Sequence, residues 1–296
     1  MRPAVYSATS ADHSSGVSTP PSRLRSIKGT TIICLMRLSL CLLASLVATN
    51  LAAQTVAHHI AAGDSAGLMH PEVQLRHYQA ALAGDSMSYA ANWKAARAIA
   101  DVAKQIQGNA DSLKHRRDSL YSVGRGYAER AIRADSTRPD GHYALAMVLG
   151  RLSRTKGSKE RVRYAKIIFD EATRAVQIDS NYDLAHHVLG AWHAEVKRLS
   201  GIQRFFAKAL FGGGFMDKAN WDDAVRHLER AVAIAPDHIY HRLELAEVYT
   251  DLGKYSKARE QCKVIATLRE VDVMDAQYKK DAADLLDDIK NEKDET

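Results

Sequence analysis

The sequence predicts an all-α fold: a right-handed α-solenoid of four to five antiparallel helical hairpins, closed by a C-terminal capping helix. Three observations predict it. The 296 residues hold only 6 prolines and 7% aromatics among many Ala and Leu, and strand-like alternation of β-branched and aromatic residues is nearly missing. A short mark recurs in which an Ala is followed five positions later by Ser or Pro, as Ala81–Ser86, Ala131–Ser136, Ala175–Ser180 and Ala231–Pro236; an Asp precedes the Ser each time. Small and large apolar residues then fall in phase with these marks, as expected of stacked hairpins.

The chain opens on a segment unlike the rest. Residues 1–30 are rich in Ser, Thr, Pro and Gly without an apolar period, so 1–35 is expected to be a disordered leader, or to precede a true start at Met36. Met36-Arg37, the apolar run Leu38 to Val47 and the small-residue patch Ala48 to Ala53 make a Sec-type signal peptide over 36–53, with cleavage expected after Ala53. An exported, periplasmic protein follows as the expectation. The alternative is an uncleaved membrane anchor, for which the apolar run is short. Cys34 and Cys41 belong to this segment. That leaves Cys262 alone in the remainder, where it reads as an inert core thiol without a disulfide partner.

The formal charge of +6 does not mark a nucleic-acid binder. Five of the 41 basic residues but only one of the 35 acidic ones lie in residues 1–53, so the body is nearly neutral and interleaves both signs. A nucleic-acid partner would ask for a concentrated basic face.

Residues 54–290 are read as the solenoid and 291–296 as a charged, fraying tail. His58–Leu82 gives a short helical pair, its second helix opened by Pro71. The separations between successive marks are 50, 44 and 56 residues, and the swelling falls inside each hairpin: around Gln107–Ser119, around Ser153–Val162, and from Arg198 to Asn220. Small residues at Ala131, Gly190, Ala224 and Ala246 let paired helices approach, while Leu145, Leu189, Leu228 and Leu245 fill the gap to the next hairpin. Asp275–Ile289 forms the cap, with Ala282, Leu285, Leu286 and Ile289 on one face.

Leu245-Ala246-x-x-Tyr249, Leu252-Gly253-Lys254-Tyr255 and Ala258-x-x-x-Cys262 resemble the tetratricopeptide repeat, and Ala231 to Ile265 spans its 34-residue period. The 198–220 insertion carries a narrower resemblance. Ile202, Phe205, Phe206, Ala209 and Leu210 recur at helical spacing, with Gln203, Arg204 and Lys208 opposite. Gly212-Gly213-Gly214 ends that helix, and Asn220 with Asp223 looks like a cap for the next. Leu189-Gly190-x-Trp192, Glu195-Val196, Leu199-Ser200, Arg204, Ala207 and Leu210-Phe211-Gly212-Gly213 together resemble the regulator of microtubule dynamics family. That resemblance covers roughly Ala175 to Leu268 and implies an all-helical binding protein, associated in the family with microtubules or organelle membranes. The secretory signal departs from this pattern and puts a microtubule role in doubt.

No chemistry-bearing motif stands out. The triple glycine lacks a following Gly-Lys-Ser/Thr, and no Gly-x-Ser-x-Gly elbow, Cys-x-x-Cys pair or dinucleotide fingerprint is present. The pairs His58-His59 and His186-His187 diverge by about 100° on a helix. His238 and His241 could share an ion but have no paired Glu/His motif. The expectation is therefore a non-enzymatic protein without cofactor or metal, an enzyme with an unrecognised site being the least favoured alternative. Its partner is a protein or peptide on the concave face lined by the first helix of each hairpin. Repeat phase points Trp93, Arg97, Tyr143, Met147, Arg151, His187, Glu247 and Asp251 there, and aromatics with Arg suit peptide anchoring. Phe205, Phe206, Phe211 and Phe215 either fold back as core or form an apolar lip. The lip would meet a partner, or a membrane in an assembly-factor alternative.

Overall fold

The structure, a computed structural model, describes residues 53–295 without the side chains at positions 202, 206, 210 and 211. The expected leader and all but the last residue of the expected signal segment lie outside the described residues, as do the side chains of Phe206 and Phe211. Within them the chain is an all-α solenoid with no strand. Helix α1 covers 53–65. The others are α2 Pro71–Gly84, α3 Tyr89–Lys104, α4 Asp111–Ala134, α5 Pro139–Ser153, α6 Ser158–Ile178, α7 Asp183–Arg198, α8 Gly201–Phe211, α9 Trp221–Ile234, α10 Ile239–Asp251, α11 Tyr255–Thr267 and α12 Asp275–Asp288. Pairing is α3 with α4, α5 with α6, α7 with α9 and α10 with α11, and α12 covers the end; α1 meets α2 through His59 with His77 and Asp64 with Tyr78. The first two swellings of the repeat lengthen α4 and α6 to 24 and 21 residues. The third is a separate helix, α8, followed by a 3₁₀ turn Gly213–Lys218.

The recurring Ala is the contact point of each hairpin. Ala81, Ala131, Ala175 and Ala231 are all fully buried, and each carbonyl accepts the last helical N–H, from Asp85, Asp135, Asp179 and Ala235. The Asp then turns the chain with its carboxylate, which accepts the N–H two residues on: Met87, Thr137 and Asn181. Close approach reaches its limit at Gly190. A Cβ there would lie 2.5 Å from Leu228 Cγ and 3.0 Å from the Ala224 carbonyl oxygen, so α7 and α9 touch where only glycine fits.

A second repeat-phased device ties the hairpins together. Six residues after each Ser or Pro, a polar side chain on the first helix of the next hairpin donates back to its carbonyl: Asn92 to Ser86, His142 to Ser136, His186 to Ser180 and Arg242 to Pro236. The same four side chains reach the second helix of their own hairpin, at Arg130, Glu171, His227 and Gln261. Each satisfies a turn carbonyl that burial would otherwise strand.

The charged tail does not fray. Asp294 accepts the Ser256 N–H at 2.7 Å, the Glu295 N–H donates to the Gly253 carbonyl, and Arg259 donates to the carbonyls of Ile289 and Glu292. Residues 291–296 read as solvated from sequence. In the fold Asp294 and Glu295 lie across the start of α11, whose first N–H groups need acceptors. At the other end of the superhelix, the Val273 N–H of the α11–α12 loop donates to the Leu68 carbonyl between α1 and α2 at 3.3 Å. The solenoid thus turns far enough for its last loop to meet its first.

Candidate functional site

That curvature turns the concave face into a cavity of about 670 Å³. Its wall is built mainly from the first helix of successive hairpins, joined by α6 and the closing helix: Arg97, Asp101 and Lys104 on α3; Tyr143, Met147 and Arg151 on α5; Val162, Ala165 and Ile168 on α6; Leu184, His187 and Val188 on α7; Tyr240 and His241 on α10; Asp275 and Tyr278 on α12. Spacings of three, four, seven or eight residues bring such side chains to one face of α3, α5 and α7. Gln203, Ala207 and Met216 of the insertion form another part of the wall.

Of the eight residues expected on this face, Arg97, Tyr143, Met147, Arg151 and His187 line the cavity. Three do not. Trp93 is half-buried against the core of the adjoining hairpins, with Lys94 Nζ 5.5 Å from its ring. Glu247 and Asp251 turn to the edge of α10, where Arg198 gathers them with Glu195 and Glu244: its Nη2 lies 2.7 Å from Asp251 and 3.8 Å from Glu247, and Nη1 2.9 Å from Glu195. One guanidinium among four carboxylates leaves an acidic excess. Burial and the neighbouring Glu244 push the Glu247 carboxyl up to about 7.

Of the positions that the periodicity marks, Phe205 is 66% exposed, whereas Ala207 is buried and Gln203 lines the cavity. Helix α8 lies against α6, and a small residue at the contact permits the approach that a phenylalanine would block. Phe215 does fold inward, its ring centroid 6.2 Å from Trp192. Ser200 and Gln203 cap α8 reciprocally, and Gly212 ends it at φ 67°, so the triple glycine is a helix stop. Asn220 accepts the Asp223 N–H at 2.7 Å, as a cap should.

Histidines cluster beside the cavity, and their hydrogen bonds fix their tautomers. His186 donates from Nε2 to Ser180, so its Nδ1 accepts from His227 at 2.8 Å; His227 Nε2 then accepts from Arg226. His241 donates from Nε2 to Asp183 at 3.0 Å, and its Nδ1 lies 3.2 Å from Nδ1 of His187. His238 stacks on His241 with centroids 3.8 Å apart, and its Nδ1 is buried without a hydrogen-bond partner among the described residues. Burial, aided by the Arg226 charge at His227 and by His241 at His238, drops both imidazoles to about 3. Burial likewise holds His187 well below its ordinary value. His142 is the exception: both ring nitrogens face acceptors, and the hydrogen bond to Glu171 raises its pKa. The adjacent His186 and His187 diverge to different neighbours, His227 and His241. No group of three His, Cys, Asp or Glu that could hold a metal ion occurs among the described residues.

Repeat phase missed part of the wall. Asp101 and Lys104 continue the row begun at Arg97 by four and seven residues, a step that was legible. Tyr240, Tyr278 and Asp272 enter only because the superhelix curls.

Comparison with known proteins gives a consistent result. A family model described as regulator of microtubule dynamics protein 1-3 matches residues 71–290. Regulator of microtubule dynamics protein 3 of Rattus norvegicus is 24% identical over 194 residues, 65% of this chain and 40% of that protein. Protein 2 of Homo sapiens is 23% identical over 199 residues, 67% of this chain and 47% of the relative. The chain thus spans less than half the length of these relatives. Among solved structures, a thermophilic tetratricopeptide repeat protein of Thermus thermophilus is 18% identical. It covers 73% of this chain and 90% of its own at a TM-score of 0.49. YrrB, described as a tetratricopeptide repeat protein with an unusual peptide-binding site, is 19% identical over 71% of this chain and 84% of its own at 0.37.

Proposed function

From a chain that belongs to the regulator of microtubule dynamics family, we propose a non-enzymatic scaffold that binds a protein or peptide partner. The partner occupies the concave cavity, and the 198–220 insertion forms its lip. One observation carries this reading: a cavity of about 670 Å³ walled by Arg97, Tyr143, Met147, Arg151 and His187. Aromatic and Arg side chains on a preformed concave wall suit peptide anchoring, because they supply large contact area and forked donors at low ordering cost. We further propose that the protein is exported to a periplasm, on the strength of Arg37, the apolar run Leu38 to Val47 and the small residues ending at Ala53. No helix among the described residues is long and apolar enough to cross a membrane.

The test is photocrosslinking from a benzoylphenylalanine placed at Tyr143, with one placed at the outward Lys166 as reference. A discrete crosslinked protein from Tyr143 alone supports the scaffold reading, and equal yields from both positions count against the cavity. A second reading, peripheral contact with a membrane through the insertion, is favoured by the exposure of Phe205. Under that reading Phe205→Ser abolishes flotation with liposomes and leaves the Tyr143 crosslink intact.

A further inference from the structure

The imidazoles beside the cavity gather at one junction. His186, His187 and His193 of α7, His227 of α9, and His238 and His241 at the start of α10 meet where the α7–α9 hairpin joins the α10–α11 hairpin. Two contacts there run nitrogen to nitrogen: His186 Nδ1 to His227 Nδ1 at 2.8 Å, and His187 Nδ1 to His241 Nδ1 at 3.2 Å. Each holds one proton between two rings. An imidazolium donates from both nitrogens, so a pair with both rings charged sets N–H against N–H. The second nitrogens are engaged as well: His186 Nε2 with the Ser180 carbonyl, His227 Nε2 with Arg226 and His241 Nε2 with Asp183. His238 lies on His241, and its buried Nδ1 has no partner among the described residues, a deficit that weakens the closed arrangement.

The charges facing the cluster are mostly positive. Arg226 and Arg230 of α9 act on His186, Arg226 on His227, Arg151 of α5 and Lys104 of α3 on His187, and Arg97 and Lys104 of α3 on His238. Against them stand Asp183 of α7, beside His241 and His238, and Asp223 of α9, beside His193 and His227. Asp275 of α12 lines the same wall, its carboxylate taken by the N–H groups of Val271 and Asp272.

The other end of the junction behaves oppositely. There α7 and α10 meet through Arg198, paired with Glu195, Glu244, Glu247 and Asp251. Burial and the neighbouring Glu244 hold the Glu247 carboxyl at about 7, so acid relieves repulsion at this end. Because α11 runs back antiparallel to α10, the 268–274 loop that follows it lies at the histidine end. That loop meets the first hairpin through the hydrogen bond from the Val273 N–H to the Leu68 carbonyl.

We propose that this junction is an acid-triggered hinge. Protonation of the histidine cluster parts the start of α10 from α7 and α9, with Arg198 as the pivot, draws the 268–274 loop off Leu68 and opens the concave cavity. The inference goes beyond the scaffold reading and holds whatever occupies the cavity. Burial keeps His227 and His238 at about 3 in the closed form, while an opened ring returns toward the ordinary 6.5. Closure is therefore fully favoured above about pH 6.5 and weakens as pH falls. One pH unit lower, each such histidine favours the open form about tenfold.

Hydrogen exchange of the full chain, read by mass spectrometry at pH 7.5 and 5.5 with labelling times scaled for intrinsic rates, tests it. Peptides from 239–251, 268–274 and 66–70 should lose at least tenfold in protection at pH 5.5, while α3 and α4 keep theirs. His238→Leu, which removes the unpartnered nitrogen, should fold and shrink that loss severalfold. His186→Asn keeps the tie to the turn carbonyl, as Asn92 does in its own hairpin, and should shrink it further. His142→Asn, the same change outside the cluster, should leave the loss intact. A loss as large in α3 and α4 means that acid loosens the whole fold, and it overturns the hinge. Unchanged protection at the junction overturns it too, as does a full acid response in a folded double variant of His186→Asn and His238→Leu. Should a variant fail to fold, the regional comparison on the unaltered chain still decides. The scaffold reading stands or falls separately, on the Tyr143 crosslink.

Discussion

Gly190 shows how much one missing Cβ can carry. A methyl at this position would overlap the Leu228 side chain and crowd the Ala224 carbonyl, so helices α7 and α9 must separate or shear. Gly190→Ala is expected to destabilise the fold by about 1–3 kcal/mol, the usual cost of overpacking, although alanine is the better helix former. A thermal melt decides it, and a rise in Tm would show that the contact yields cheaply. The two histidines of the repeat-phased tie show the converse, where one residue type is shifted in two directions. His142 faces Glu171 and His186 faces His227; the hydrogen bond to a carboxylate raises the pKa of the first, and burial lowers that of the second. Sequence position alone does not reveal this, because each partner sits on another helix.

At the scale of the element, helix ends were more legible than helix faces. Pro71 opening α2, the stop at Gly212 and the Asn220 cap follow from local backbone chemistry, which acts within a few residues of itself. On α8 the apolar period marks Phe205, which turns outward, while Ala207 is buried. The tail is the second correction, and it can be tested directly. Asp294 acts as an acceptor at the start of α11 from 38 residues away, so Asp294→Ala should lower the melting temperature. An unchanged melt would return the tail to solvent.

The whole molecule should be sensitive to acid. His227 and His238 hold folded-state values of about 3, below the ordinary 6.5, so the unfolded chain binds protons first as pH falls. Their contribution is fully present above about pH 6.5 and is lost progressively toward pH 3. At pH 5 this amounts to roughly 2 kcal/mol for each group. His142 works the other way: its pKa is raised, so its contribution is present below 6.5 and lost as pH rises through the folded value, which returns part of the loss at pH 5. The net expectation is a Tm lower at pH 5 than at pH 7.5, by on the order of 5–10 °C. A His227→Gln variant should narrow the gap, and equal melting temperatures would show that these rings are hydrated.

Much of this protein was decided by sequence alone: the all-α class, the hairpin marks, the close contacts at Ala131, Gly190, Ala224 and Ala246, and the closing helix. These follow from steric size and backbone hydrogen bonding repeated at near-regular spacing, which need no knowledge of distant residues. Tertiary structure alone decided the curvature that brings Val273 to Leu68. With it came the cavity, the exclusion of Trp93, Glu247 and Asp251 from its wall, and the entry of Tyr240 and Tyr278. Curvature sums small rotations at every hairpin junction, and each rotation depends on side chains packed from both sides. The setting of Arg151 beside Tyr240 and Tyr278 exists only after that sum, because those two rings come from α10 and α12.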